Sequence, residues 1–281
     1  MNYSPKIMKE NLEKFNFNFK KNFGQNFIID ENIINSIINN VDIDKETLVI
    51  EIGPGCGSLT YKLGKFAKNV LCYEIDTKVK DFLESNIGDL DNVEILYQDF
   101  LKSNVINDIK KYDYKKLYVV ANLPYYITTP IIVKLIEDKV PVDKIVVMVQ
   151  KEVGDRFKAK PGTKDYSSLS IYLNYYFNVR KLMDVSKNVF MPKPNVDSIV
   201  VEFKRKDQKF ELVNEKIFFR LVRDSFTQKR KTIRNNLKNY DLDIIQEVLK
   251  KYNYDLTVRA EQLDIYVFVD IANKLSEVKN D

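Results

Sequence analysis

EIGPGCGSLT, residues 51–60, stands between a short apolar run, Leu48–Ile52, and a helix-length segment, Ser58–Lys68. Glycines at 53, 55 and 57 let the chain turn tightly and let a ligand approach the backbone closely. Strand, glycine turn and helix in that order begin a βαβ unit, and the pattern continues outward. Apolar, β-branched runs recur at Val70–Ile75, Val93–Tyr97, Leu117–Ala121 and Lys144–Val149, and helix-length segments such as Glu31–Asn40 and Lys78–Ser85 lie between most of them. Short apolar runs alternating with helices predict a parallel sheet. Asn178–Val185 and Ser198–Lys204 bring the strand candidates to seven, which fits one doubly wound α/β sheet. SSLSIYLNYYF, residues 167–177, is long enough to favour a helix. After about Lys206 the strand signals thin out, and amphipathic spacing through Ile217–Leu221 and Ile244–Tyr252 predicts a small all-helical domain. The expected organisation is a basic, aromatic arm over 1–20, a sheet domain over 21–206 and a helical domain over 207–281.

The chain has 281 residues, 44% of them hydrophobic, enough for one sizeable core and a smaller satellite. Forty-five basic residues against 40 acidic ones leave a formal charge of +5, a modest excess whose placement matters more than its sum. There is no histidine. That excludes Ser-His-Asp and Cys-His nucleophile pairs, histidine metal sites and a histidine general base. Cys56 and Cys72 are isolated thiols, read as packing residues rather than as a zinc site or a disulfide, so no metal is expected. The N-terminus has no apolar signal core and no apolar run approaches membrane-spanning length, so we expect a soluble, cytoplasmic protein with no membrane partner.

A GxGxxG dinucleotide fingerprint would place its third glycine at 58, where this chain has Ser58. G-x-G-x-G after an acidic residue fits an S-adenosylmethionine site better, because that cofactor has no pyrophosphate to cradle. Glu74 ends the second strand candidate, where a carboxylate can accept hydrogen bonds from two ribose hydroxyls. Asp99 ends the third, where an acid can accept from an adenine amino group. Ligands of α/β sheets sit at this carboxyl edge; the alternative is that Glu74, Asp76 and Asp99 are surface acids at strand ends.

NLPYYITTP, residues 122–130, follows the fourth strand candidate. Asn-Leu-Pro-Tyr is one form of the amide/acid-x-Pro-aromatic motif of enzymes that methylate exocyclic amines. Such an amine is a poor nucleophile because its lone pair is delocalised into the ring. Hydrogen bonds from it to the Asn122 oxygen and to a nearby main-chain carbonyl would draw it toward tetrahedral geometry. Pro124 stiffens the turn and leaves carbonyls without a local N–H partner. Tyr125 offers a face on which a base can stack. No strong base is needed, since the methylated amine loses its proton readily to water. As a lone tetrapeptide NLPY is also an ordinary turn; the glycine loop at the right strand interval favours the chemical reading.

Five stretches in order, KKNFGQNFIID (20–30), EIGPGCGSLT (51–60), NLPYYITTP (122–130), VFMPKPNVDSIVVEF (189–203) and FTQKRKTIRNNL (226–237), closely resemble the small-subunit rRNA adenine N6,N6-dimethyltransferase family (KsgA/RsmA type). The resemblance implies a Rossmann-like methyltransferase domain, a small helical C-terminal domain and S-adenosylmethionine as cofactor. It also implies a substrate: two adjacent adenosines in the 3'-terminal hairpin loop of 16S rRNA, each methylated twice in an immature small subunit. The family's cofactor contacts carry over onto Asn26, Ile28, Gly53, Glu74, Asp99 and Asn122, with Gly55, Ile75 and Phe100 in the same set. Ile28 stands where leucine is common, and Tyr126 replaces an asparagine seen in some members. Asn122, Leu123, Pro124 and Tyr125 match the target-base motif, and Phe190 matches an aromatic residue that closes over the base from the other side. The 23S rRNA enzyme of macrolide resistance shares the fold, the cofactor site and an Asn-x-Pro-Tyr motif; TTP after NLPY and PKPNVDS at 192–198 lean toward the small-subunit family.

Residues 218–238 gather Arg220, Arg223, Lys229, Arg230, Lys231, Arg234 and Lys238 against one acid, Asp224. On a helix Arg223, Arg230 and Arg234 fall near one face, which suits a phosphate backbone; a solvated helix face is the plainer alternative. Lys20 and Lys21 could add contacts. Two other function classes stand beside the enzyme. One is an assembly checkpoint that binds the immature subunit and is released by methylation. The other is an NAD oxidoreductase, disfavoured by Ser58, by the lack of an evident acid/base and by NLPY. With no obvious apolar dimer stripe, a monomer is expected.

Overall fold

The computed structural model describes residue 10 and residues 25–88, 90–207 and 210–277. The arm over 1–20 and Lys20 and Lys21 therefore lie outside the described residues, Glu10 excepted. Seven strands form one sheet: β2 (Thr47–Ile52), β3 (Asn69–Tyr73), β4 (Val93–Leu96), β5 (Lys116–Asn122), β6 (Lys144–Gln150), β7 (Phe177–Val185) and β9 (Ser198–Arg205). Their order is β4-β3-β2-β5-β6-β9-β7. The strands from β4 across to β6 pair in parallel, and β9 runs antiparallel to β6. All seven correspond to the strand candidates of the sequence. The sequence did not predict a separate two-stranded ladder, β1 (Phe27–Ile28) with β8 (Phe190–Met191), in which Ile28 pairs with Phe190.

Near-continuous apolar character is what a parallel strand covered on both faces requires. β2, TLVIEI, is buried at every position, Glu51 included. The helix α1 (Glu31–Val41) begins at Asp30, whose side chain accepts the Asn32 N–H, and it buries Ile34, Ile37, Ile38 and Val41 at helical spacing. Its far end is tied to the sheet by Lys144, whose Nζ donates to the Val41 carbonyl at 2.6 Å. The helix α2 (Ser58–Phe66) follows the glycine turn, and Gly57, at φ 82°, occupies its N-cap.

The chain forms two compact units, 1–154 with 180–204 and 155–179 with 205–281. The second is built from two stretches, whereas the sequence boundary at 206/207 left the first of them with the sheet. The physical reason is aromatic packing. Tyr166, Ile171 and Tyr175 are buried in the same core as Phe218, Leu221, Ile245, Val248, Phe268 and Ile271. Tyr175 alone meets Phe210, Phe218 and Phe219 at centroid distances of 5.7, 5.3 and 5.3 Å. SSLSIYLNYY is helical as expected, over Ser168–Tyr176, but its apolar side serves the helical unit.

Glu51 is a carboxyl inside the sheet core, 1% exposed, with the Cys72 thiol donating to its Oε2 at 3.6 Å. Burial lifts its pKa from 4.5 to about 8. Below the unfolded-state value both states hold the proton, and the contribution to stability is fully present. Between 4.5 and about 8 only the folded state holds it, so stability falls as pH rises and levels off above. Glu51→Gln, which stays neutral, is expected to flatten that decline in urea unfolding curves taken across this range.

Candidate active site

The order reverses beside β2: β3 lies on one side and β5 on the other. The loops leaving the carboxyl ends of β2 and β5 therefore diverge, and a cleft opens between them. It encloses about 970 Å³ including its mouth. Gly53, Pro54 and Gly55 form one wall, Glu74, Ile75, Asp99 and Phe100 another, and Asn122–Ile127 the floor and far side, with Gln25–Ile28 closing over the glycine turn.

Gly53 and Gly55 take φ of 71° and 56°, a backbone region costly to residues with a Cβ. At Gly55 a Cβ would also stand 2.7 Å from Cε1 of Phe27, so the N-terminal segment seats directly on the bare turn. Glu74 lies one residue past β3 and is 5% exposed. Its Oε2 accepts the Gly55 N–H at 3.2 Å and its Oε1 the Asp76 N–H at 2.7 Å. Burial pushes its carboxyl up, against the pull of these N–H groups. Asp99 caps a 3-10 turn, Phe100–Lys102, through Oδ1 and the Leu101 N–H, and its Oδ2 stands 4.0 Å from Lys102. Phe100 is buried edge-on against Tyr73, whereas Ile75 is 48% exposed, an apolar side chain left on the cleft wall.

Asn122 is the last residue of β5. Its Nδ2 donates to the Asn26 carbonyl at 2.8 Å, which fixes the amide and leaves Oδ1 as the atom for an incoming donor. Leu123 is buried, and its N–H donates to Met148 O at 3.2 Å. The Pro124 carbonyl is already engaged by Ile127 N–H at 3.2 Å and Thr128 Oγ1 at 3.3 Å. Residues 124–127 close a turn on it, so the carbonyl left without a local N–H partner beside the proline is not its own. The Leu123 carbonyl accepts no hydrogen bond among the described residues. Tyr125 is half-buried, and burial raises its phenol.

The cleft thus brings together Asn26, Ile28, Gly53, Gly55, Glu74, Ile75, Asp99, Phe100 and Asn122–Tyr125. Ile28 turns its side chain into the sheet core. Phe190 is not among the lining residues; it is 3% exposed, opposite Ile28 in the small ladder and packed in the same core. The sequence reading passed over Gln25, which donates to Asp76 Oδ2 at 2.9 Å, and Phe27 on Gly55. Tyr126, 56% exposed, also lines the cleft. Only the paired requirement of a bare Gly55 and a neighbouring aromatic could have marked Phe27 in advance. Both cysteines are buried, with thiols pushed up by burial. Among the described residues no cluster of His, Cys, Asp and Glu could hold a metal ion, and no helix is long and apolar enough to cross a membrane.

The basic residues of 218–238 do not share one helix, contrary to the sequence expectation. The helix over Glu215–Ser225 ends with Ser225 turned onto Leu221 O, turns follow, and a short helix spans Ile233–Asn236. Arg223 lies on the first, Arg230 on the turn and Arg234 on the second. Arg220, Arg223, Lys229, Arg230, Lys231 and Arg234 are all exposed. Asp224 stands 3.7 Å from both Arg220 and Arg223, and Lys229 Nζ donates to Lys164 O at 2.5 Å.

Residues 16–277 match the family model described as ribosomal RNA adenine dimethylase. The chain is 47% identical over 277 residues to a ribosomal RNA small subunit methyltransferase A of Staphylococcus aureus, covering 95% of this chain and 93% of the relative. It is 45% identical over 282 residues to the protein of that name from Bacillus cytotoxicus, covering 97% and 96%. Among solved structures, a dimethyladenosine transferase from Plasmodium falciparum matches with TM-score 0.72 and 27% identity over 86% of this chain and 94% of that one. The 23S rRNA methyltransferase ErmE matches with TM-score 0.70 and 23% identity over 89% and 100%, a likeness of fold. With a family model spanning nearly its whole length and relatives close to half identical, this chain belongs to the ribosomal RNA adenine dimethylase family.

Proposed function

We propose that this protein uses S-adenosylmethionine to methylate, twice each, the N6 amines of two adjacent adenosines in the 3'-terminal hairpin loop of 16S rRNA, in the immature small subunit. The observation that carries the reading is the Asn122 amide, tethered through Nδ2 so that Oδ1 is left for a donor in a cleft that also holds Glu74, Asp99 and Tyr125. Relatives at 45–47% identity named for the small subunit favour 16S over 23S rRNA. The reading places the protein in the cytoplasm, as a monomer.

The residues of the cleft fit the cofactor. Glu74 has two carboxylate oxygens, each with one main-chain donor and a lone pair to spare for a ribose hydroxyl. Asp99 spends Oδ1 on its turn and keeps Oδ2 for an amino group. Ile75 offers apolar cover, and the bare backbone at Gly53 and Gly55 allows close approach. When bound, S-adenosylmethionine supplies an electrophilic methyl group on its sulfonium.

The target adenine must leave its stack to reach the cleft. The face of Tyr125 receives it, a contact worth ~1–3 kcal/mol per base. For the first methyl, Asn122 Oδ1 and the Leu123 carbonyl accept hydrogen bonds from the two N–H groups of the amine and turn its lone pair out of conjugation; for the second, the one remaining N–H keeps one of these acceptors. These acceptors are in place beforehand, so alignment supplies the acceleration, up to ~7–11 kcal/mol of barrier. After transfer the amine sheds its proton to water, in keeping with a chain that has no histidine. Arg230, Lys231 and Arg234, with Arg220, Arg223 and Lys229, would take the RNA backbone.

The direct test is radiolabelled S-adenosylmethionine with undermethylated small subunits and, separately, protein-free 23S rRNA, followed by digestion and separation of adenosine derivatives. Label in N6,N6-dimethyladenosine from the small subunit is expected; label from 23S rRNA alone overturns the assignment. Asn122→Ala should lower kcat at least ~100-fold with the melting temperature little changed. Glu74→Ala should weaken cofactor binding, measured by calorimetry, by about 10- to 100-fold, the loss of hydrogen bonds to a charged group. Retained subunit binding in that variant, with methylation abolished, would separate the enzymatic role from a checkpoint role. Replacing Arg230 and Arg234 with Gln should weaken RNA binding and reduce the slope of log affinity against log salt by about 1 for each phosphate no longer neutralised.

A further inference from the structure

PKPNVDS, residues 192–198, supplies no group to the chemistry above, yet its last residue touches the site. Ser198 opens β9, is 0% exposed and pairs with Gln150 of β6. Its Oγ lies 2.9 Å from the hydroxyl of Tyr125. Stacking on a base needs only the ring face, which phenylalanine would offer equally well. The hydroxyl of Tyr125 therefore answers to something other than the base.

A hydrogen bond at the far end of a tyrosine ring fixes the direction of the ring's long axis, and so where the ring lies, because the hydroxyl oxygen moves with that axis. The restraint is as good as its anchor, and Ser198 is firmly held. The preceding residue, Asp197, accepts the Lys151 N–H on its carbonyl at 3.1 Å and the Lys187 N–H on Oδ1 at 2.9 Å. Lys187 in turn donates from Nζ to Asn195 O at 3.2 Å. The start of β9 is thus fixed to the sheet on one side and to the 186–189 turn on the other. The pairing is also reciprocal: a serine hydroxyl buried at a strand end needs a partner, and Tyr125 provides it.

We propose that Ser198 is a positioning residue for methyl transfer: through the Tyr125 hydroxyl it fixes where the ring lies against the target adenine, and so the alignment of the amine with Asn122. Asp197 holds Ser198 at that station. The inference rests on the methyltransferase reading of the cleft.

The test is a double-mutant cycle of Ser198→Ala and Tyr125→Phe in the full-length protein, with undermethylated small subunits and radiolabelled S-adenosylmethionine. Each single variant is expected to lower kcat by about tenfold or more, since small misplacements are costly in an aligned site. The KM for the cofactor should stay at the wild-type value. The double variant should be no slower than the slower single, because both remove the same bond. A Ser198→Ala protein that melts earlier but keeps the wild-type kcat overturns the proposal, as do losses that multiply in the double variant. Should Ser198→Ala fail to fold, Tyr125→Phe decides alone, and a wild-type kcat in it is fatal to the idea. A wild type that methylates neither substrate sinks the reading of the cleft and this role with it. An active wild type with unaffected variants sinks only the role of Ser198.

Discussion

The parallel pairing of β5 against β2 is the constraint on which the site depends. Thr47 through Ile50 align with Lys116 through Val119, and this register brings the glycine turn and Asn122 to one edge. Side chains alternate across a strand, so a slip of a single residue would turn Asn122 to the opposite face of the sheet. The burial of β2 and of Leu117–Ala121 in β5 against their neighbours holds this register. Core packing is in this sense the device that aims the amide.

The amide is then finished by a segment outside the large sheet. Gln25 reaches Asp76, and the Asn26 carbonyl takes the Asn122 Nδ2, so residues 25–28 link the acidic side of the cleft to its floor. Phe27, the next residue, settles on Gly55. An amide oriented by a main-chain carbonyl is already held in one conformation, which is the condition for electrostatic preorganisation under the reading proposed above. Glu74 shows the same economy. Its carboxyl is taken out of water by burial, and two main-chain N–H groups offset part of that cost in advance.

Much of this was legible in the sequence. The strands from β2 to β6 and the carboxyl-edge positions of Gly53, Glu74, Asp99 and Asn122 follow from apolar runs and glycine spacing, because a buried parallel sheet tolerates few other patterns. The β1–β8 ladder was not legible. Two residues on each side, joined across more than 160 positions, leave no periodicity to read. The burial of Phe190 goes with it. The basic stretch was legible in content but not in form: Phe226 and Ser225 end the first helix, and charge counting carries no information about where a helix stops. The unit boundary was missed because an apolar helix reads the same whichever core it joins.

That last feature bears on how the chain is made. The segment 155–179 leaves the ribosome before residues 205–281, which hold the other side of its core, and β9 of the sheet is synthesised in between. During elongation Tyr166, Ile171 and Tyr175 must wait, with their apolar surfaces uncovered, while the sheet's later strands emerge. The helical unit consequently has no contiguous stretch of sequence that encodes it. A cut at residue 206 would not release a domain but would divide its core into two incomplete halves, each carrying exposed aromatic surface.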